Sequence, residues 1–463
     1  NGGLDGFQTP AYGDILGGGP ASNGLLKGFA VISSDAGHAL DRGSPIGGAT
    51  FGLDPQARLD YGYNAVAQLT PMAKALVRTV YGKAPDRSYL VGTSNGGRHG
   101  FVAASRQPEA YDGILASTPG FRLPRAAVAQ VWGAQQFASI ARPGANGRPD
   151  LSSAFTPGEL GLLARAVLAR CDALDGLVDG MVFDVQACQQ QFRVARDVPQ
   201  CSAASAPGTC FSAAQTAVME RVLAGPRDAG GAAVYAGLPA DPGIAGRDWA
   251  AWKFVNSVGP RDAIALAFVF STPPASPAAV SGQGTSLIDY ALGFSLERDL
   301  PRLFATSAPY GESAWQFMTP PDLTLRGFVQ RGGKLLVMHG TADPVFSALD
   351  SLAWHEDFRR THGAAADRHA RLFLVPGMNH SRGGPATDQM DLVDALVAWV
   401  EQGRAPDAVV AQARGPASSV PNPEIPAGWS AGRTRLLCPH PQVARYRGQG
   451  DPESASSFSC VNP

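Results

Sequence analysis

The stretch "LVGTSNGGRHG", residues 90–100, contains Gly-x-Ser-x-Gly, with Gly92, Ser94 and Gly96. An apolar run, "RSYLV" (87–91), leads into it, and small residues of helical character, "NGGRHGFVAASRQ" (95–107), follow. A serine between glycines at a strand-to-helix turn is the nucleophile-elbow pattern. The turn is sharp, so the serine takes strained φ/ψ and small neighbours relieve the crowding. Its hydroxyl then stands above the sheet edge, where the helix N-terminus favours negative charge. Gly and Ser are common, so the pentapeptide alone is a weak signal. The strand–turn–helix setting strengthens it.

Further strand and helix signals surround the elbow. "GFAVISSD" (28–35) reads as a short buried strand, "YNAVAQLTPMAKALVRTVYG" (63–82) as a helix and "YDGILASTPG" (111–120) as another strand. The alternation stops at about 125 and resumes with "GGKLLVMHGTADPV" (332–345) and "RHARLFLVPGMNHS" (368–381). "DQMDLVDALVAWVEQG" (388–403) places Leu392, Leu396, Val397 and Val400 on one helical face. Strands alternating with helices imply a mainly parallel sheet. The expected architecture is one α/β domain over 1–124 and 326–463, interrupted by a large insertion over 125–325.

A serine is a poor nucleophile near neutral pH and needs a base oriented by a carboxylate. In this architecture the order along the chain is Ser, then Asp or Glu, then His. Asp343 in "HGTADPVF" and His380 in "GMNHSRGG" both lie just past predicted parallel strands. Open α/β sheets build their sites at those carboxyl ends. Ser94, Asp343 and His380 are therefore the candidate catalytic residues. Asp350 is the nearest rival acid, but it falls in the following helix. His99 reads as a packing or solvent residue, His339 as structural and His38 as locally bonded. His355, His362, His369 and His440 sit in polar contexts and read as surface residues. The oxyanion hole needs two N–H donors. Asn95, which follows the nucleophile, supplies one, and Gly3 in "NGGLDG" (1–6) is the candidate for the other.

Composition excludes some classes. The 463 residues are 44% hydrophobic and 17% charged, with a net charge of −1. No basic face is implied, so nucleic acid is not an expected partner. No run of 18 apolar residues occurs, so no membrane span is expected. The six cysteines form three local pairs, Cys171/Cys188, Cys201/Cys210 and Cys438/Cys460, which suggests disulfides and an oxidising, secreted or periplasmic location. No signal-peptide pattern stands at the start, so a leader is expected to have been removed or the chain trimmed. "CDALDGLVDGMV" (171–182) clusters Asp172, Asp175 and Asp179 in a Gly-containing loop, a pattern that suits a hard cation such as calcium.

Together, "NGGLDG", "GFAVISSDAGH", "GTSNGGRHG", "HGTADPVFS", "PGMNHSRGG" and the cysteine-rich insertion resemble the tannase and feruloyl esterase family. The resemblance implies an α/β-hydrolase with a large lid over the serine. It also implies a structural calcium in the lid, held by the side chains of Asp172, Asp175 and Asp179 and the carbonyls of Leu177 and Met181. One family hallmark, a cysteine pair beside the nucleophile and the histidine, is replaced by Thr93 and Ser381. The implied activity is a secreted serine esterase acting on small aromatic esters of the feruloyl, galloyl or phthalate type. An aliphatic or hydroxyalkanoate-oligomer esterase is the alternative, and a catalytically inactive binding protein is the alternative of another class. Phe346 and Trp252 are the candidate substrate-binding aromatics. Arg261 reads as a surface arginine. Most of Trp249, Phe254, Phe268, Phe270, Trp315 and Phe317 read as lid core.

Overall fold

A computed structural model describes residues 2–13, 15, 23–41, 43–44, 46–281 and 286–463. Its centre is a four-stranded parallel sheet in sequence order: β1 (Tyr89–Thr93), β2 (Gly113–Ser117), β3 (Lys334–Gly340) and β4 (Ala370–Val375). The register aligns Thr93 with Ser117, Ser117 with Met338 and Gly340 with Val375. The carboxyl ends of β1, β3 and β4 therefore open on one rim, and the loops that follow them meet there.

Side-chain alternation explains why this sheet is buried on both faces. Leu115, Leu336, Met338, Phe373 and Val375 point into one apolar cluster. That cluster is closed by Leu392, Leu396 and Trp399 of the helix Leu392–Gln402. Ile114, Ala116, Leu335, Val337 and Leu372 point to the other face, onto Phe101, Phe328, Trp354 and Phe358. These aromatics come from three elements. α2 (Asn95–Arg106), which follows α1 (Ala65–Tyr81) and β1 in the chain, carries Phe101, the helical turn Arg326–Gln330 carries Phe328, and the helix Ala348–His362 carries Trp354 and Phe358.

A third cluster lies outside the sheet. The residues between β2 and β3 supply most of it, and apart from the two-residue pair Arg142–Pro143/Pro149–Asp150 their named elements are helical. α3 (Leu123–Ala138) packs Val128, Val131 and Phe137 against Trp249, Phe254 and Phe268. Leu4, Phe51, Tyr61 and Phe346 join the same cluster, which ties the start of the chain and the Asp343 loop to the insertion. α4 (Pro157–Cys171) begins with a capping box between Thr156 and Glu159. The three expected disulfides are present: Cys171–Cys188, Cys201–Cys210 and Cys438–Cys460. The last clasps two small antiparallel pairs, Val409–Gln412 with Thr434–Leu437 and Val443–Tyr446 with Phe458–Val461. No described helix is long and apolar enough to cross a membrane.

Two expectations need correction. "GFAVISSD" (28–35) is not a strand. Among the described residues β1 is the sheet's edge and pairs with β2 alone, and residues 29–34 lie across a cavity of about 360 Å³ from it. Without a ladder partner an apolar run is extended chain, not sheet. His355 and His440 are not surface residues either. They are 1% and 9% exposed, and their Nδ1 atoms approach to 3.1 Å.

Candidate active site

The elbow forms as its glycines require. Ser94 has φ 61° and ψ −119° and directly precedes α2. A Cβ on Gly92 would lie 2.2 Å from Gly96 O, and one on Gly97 would lie 2.8 Å from Ser117 O. Only glycine permits strand and helix to approach this closely. Ser94 N–H donates to Ser117 O at 2.9 Å, fastening the turn to β2.

The Ser94 hydroxyl donates to His380 Nε2 at 2.9 Å, and His380 Nδ1–H donates to Asp343 Oδ2 at 2.9 Å. Asp343 is 2% exposed, whereas Ser94 and His380 are half-buried and accessible. Asp343 Oδ1 also accepts from Val345 N–H at 2.7 Å and Phe346 N–H at 3.1 Å. His339, fully buried, donates from Nε2 to Phe346 O at 3.0 Å and stands 3.4 Å from Asp343 Oδ2. Burial would raise the Asp343 carboxyl, but His380 and His339 outweigh it and hold the group well below the usual carboxylate range. Burial would lower the His380 imidazole, but Asp343, with Asp248 and Asp262 beyond it, holds it above its ordinary value. The rival Asp350 is instead paired with Arg122.

Asn95 is the first residue of α2, so its N–H has no acceptor a turn earlier. Gly3 (φ 60°) lies in a loop held from three sides. Tyr61 Oη donates to Gly3 O at 2.9 Å, His38 Nε2 donates to Leu4 O at 2.7 Å, and Asn95 Nδ2 donates to Asp5 Oδ2 at 2.7 Å. Arg98, fully buried, completes the lock by donating to Asn95 Oδ1 at 2.6 Å and to the carbonyls of Tyr61 and Gly62. Asp5 and Arg98 were legible only as members of quoted motifs, and no pattern in the residues separated them from their neighbours. Arg261 is exposed, with its guanidinium against Gly3.

Two rings frame the imidazole. Phe346 packs edge-on to His380 at 5.5 Å and Trp252 is tilted against it at 5.6 Å between centroids. Phe346 is 3% exposed and presses on Gly120, while Trp252 is half-buried with its indole N–H on Asp262 Oδ2 at 3.2 Å. Trp249, Phe254, Phe268, Phe270 and Phe317 are core.

The His380 loop is held without a disulfide. Ser381 Oγ and Thr118 Oγ1 share a hydrogen bond of 2.9 Å. Asn422 Nδ2 donates to Gly384 O at 2.8 Å, and Gly384 N–H donates to Glu424 Oε2 at 3.0 Å. Asp241, buried, accepts from Gly377 N–H and Thr341 Oγ1, joining the loops after β3 and β4.

The acidic loop stands apart from this site. Asp172 accepts from the N–H groups of Asp179 and Gly180, Asp175 from those of Leu177 and Phe183, and Asp179 from Met181 N–H and the Arg435 guanidinium. Among the described residues, no trio of His, Cys, Asp or Glu is gathered as a metal-binding group. Asp179 pairs with the fully buried Arg435, whereas among the described residues Asp172 and Asp175 have no cationic side chain within 4 Å, an imbalance that a hard divalent cation would offset. Burial raises both Asp172 and Asp175, the latter to about 8.

A family model described as tannase and feruloyl esterase matches residues 13–461. The mono(2-hydroxyethyl) terephthalate hydrolase of Piscinibacter sakaiensis is 38% identical over 490 residues, spanning 100% of this chain and 78% of that protein. A probable feruloyl esterase of Arthroderma benhamiae is 27% identical over 464 residues, spanning 96% of this chain and 76% of that protein. The crystal structure of feruloyl esterase B from Aspergillus oryzae superposes with a TM-score of 0.72 at 22% identity, covering 100% of this chain and 83% of that one, and shows the shared fold. The chain is a carboxylic ester hydrolase of α/β-hydrolase fold, and it belongs to the tannase and feruloyl esterase family.

Proposed function

We propose that the protein is a secreted serine esterase of small aromatic carboxylic esters, with Ser94 as nucleophile, His380 as base and Asp343 as its orienting carboxylate. The observation that carries this reading is the continuous hydrogen-bonded chain from Ser94 Oγ through His380 to buried Asp343. His380 takes the serine proton as Oγ attacks the ester carbonyl, and the Asp343 carboxylate stabilises the imidazolium. The backbone N–H groups of Asn95 and Gly3 receive the developing oxyanion. Collapse of the tetrahedral species passes the proton from His380 to the leaving alcohol. Water activated by the same imidazole then releases the acid from the acyl-enzyme.

The relatives' aromatic substrates and the Trp252 and Phe346 rings beside His380 support an aryl acyl group. Residues 125–325 act as the lid that carries Trp252. Three disulfides support an oxidising, extracytoplasmic location. The loop of Asp172, Asp175 and Asp179, with the carbonyls of Leu177 and Met181, binds calcium as a structural ion.

Ser94→Ala tests the assignment. It abolishes turnover of methyl ferulate and of p-nitrophenyl benzoate and leaves the melting temperature near that of the parent. Turnover that persists refutes the nucleophile. A preference for alkyl over aryl esters in the parent enzyme refutes the acyl-group reading.

A further inference from the structure

Behind the acid loop stand two buried polar residues that the triad does not use. Lys253 is 5% exposed, and its Nζ donates to Gln130 Oε1 at 2.9 Å. Gln130, on α3 and 3% exposed, donates from Nε2 to Pro344 O and to Val345 O, each at 2.7 Å. Those carbonyls belong to the turn that follows Asp343. The same turn directs the Val345 and Phe346 N–H groups onto Asp343 Oδ1. A continuous relay thus runs from ammonium to amide, to turn, to carboxylate, to imidazole.

The chemistry of the amide explains the lysine. A glutamine has a donor end and an acceptor end of nearly equal shape. Reversed, Gln130 would set its oxygen against two carbonyl oxygens. A cation at the oxygen end enforces one orientation through a charge-assisted bond, about twice as strong as a neutral one. Burying an ammonium is costly. Among the described residues Lys253 makes no ion pair within 4 Å, and the Trp249 ring lies 5.9 Å from its Nζ. Asp262 and Asp343 attract the ammonium from beyond that range, and Gln130 is the group to which it hydrogen-bonds directly.

We infer that Lys253 is a positioning residue: through Gln130 it fixes the turn that orients Asp343, and so couples the insertion to the triad. The inference rests on the triad reading above. Four variants of the full chain test it: Lys253→Met, Lys253→Arg, Gln130→Glu, which keeps an acceptor and removes both donors, and Ser94→Ala. Active sites are titrated with a fluorophosphonate, so kcat is counted per competent molecule. Lys253→Met and Gln130→Glu each lower kcat on the order of tenfold, with KM changed less than about twofold. Lys253→Arg recovers most of the loss, and the Lys253→Met/Gln130→Glu double variant falls no further than the worse single one. Unchanged kcat per titrated site in Lys253→Met, with Ser94→Ala inactive, overturns the positioning role and leaves the triad standing. Fewer titratable sites at normal kcat mark a merely structural lysine and overturn it equally. Should Lys253→Met not fold, Gln130→Glu decides by the same kcat and KM criteria. Turnover by Ser94→Ala overturns the underlying triad reading instead.

Discussion

Ser94 is strained, half-buried and bonded to a base, and each property traces to a neighbour. Gly92 is the least replaceable of these. An alanine there would drive its Cβ into the Gly96 carbonyl, so Gly92→Ala lowers kcat/KM at least about 100-fold through displacement of the hydroxyl; parent-like kinetics would contradict this. Asp343→Asn keeps the shape of the acid but removes the charge and favours the wrong imidazole tautomer. Its kcat falls about 10,000-fold. The charge of Asp343 also sets the pH dependence. His380 must be neutral to accept the serine proton, and its pKa is held above 6.5. The acid limb of kcat/KM therefore rises through a midpoint above 6.5, and activity is lost below it. A midpoint below 6.5 would contradict that electrostatic account. The three side chains were legible in the sequence because each follows an apolar strand in the required order. Lys253, Gln130 and Arg98 were not, since a buried polar residue on a helix carries no mark of the carbonyl it will meet.

At the scale of elements, the sheet's rim is set by register, and the loops after β3 and β4 are fixed by side chains far away in sequence. Asn422 and Glu424 reach Gly384 from the C-terminal part of the chain, and Asp241 reaches Gly377 from the insertion. Such long-range partners leave no periodic signal. The same is true of the buried pair His355 and His440, whose polar sequence neighbours suggested exposure. His440 joins the disulfide-clasped C-terminal strands to the helix Ala348–His362. Burial, the two rings' mutual repulsion and Arg359 lower His355 to about 3, and burial with Arg359 lowers His440 to about 4, against a weak opposing pull from Asp367. The unfolded chain takes up these protons near 6.5, where the folded chain does not. Stability is therefore full above 6.5 and falls as pH drops toward 4. Melting temperatures measured from pH 7 to pH 4.5 decrease steadily, and a His355→Gln/His440→Gln variant shows a shallower slope. An identical slope would remove this pair from the account.

At the scale of the whole molecule, a parallel sheet sets the three reactive groups on one rim, and the disulfide-bonded insertion brings Trp252 against His380. The strand–helix alternation and its interruption after residue 125 are visible in the sequence. The reading failed at residues 28–35, where an apolar run reads as a strand but finds no ladder partner among the described residues. The proposed calcium site belongs to this scale, since Arg435 of the C-terminal strands pairs with Asp179 of the acidic loop. Saturating calcium at a hundredfold excess over Kd adds about 2.7 kcal/mol to stability. EDTA lowers the melting temperature by a few degrees, and Asp175→Asn abolishes the calcium response. No response to EDTA or added calcium would remove the ion.

The central claim, a nucleophile at Ser94 activated by His380, is tested most directly by covalent labelling. Fluorophosphonate-treated protein is digested and the adduct located by peptide mass spectrometry. The account predicts one adduct, on the peptide carrying Ser94, and labelling slowed at least about 1,000-fold in His380→Ala. An adduct on another residue, or undiminished labelling without the imidazole, would contradict it.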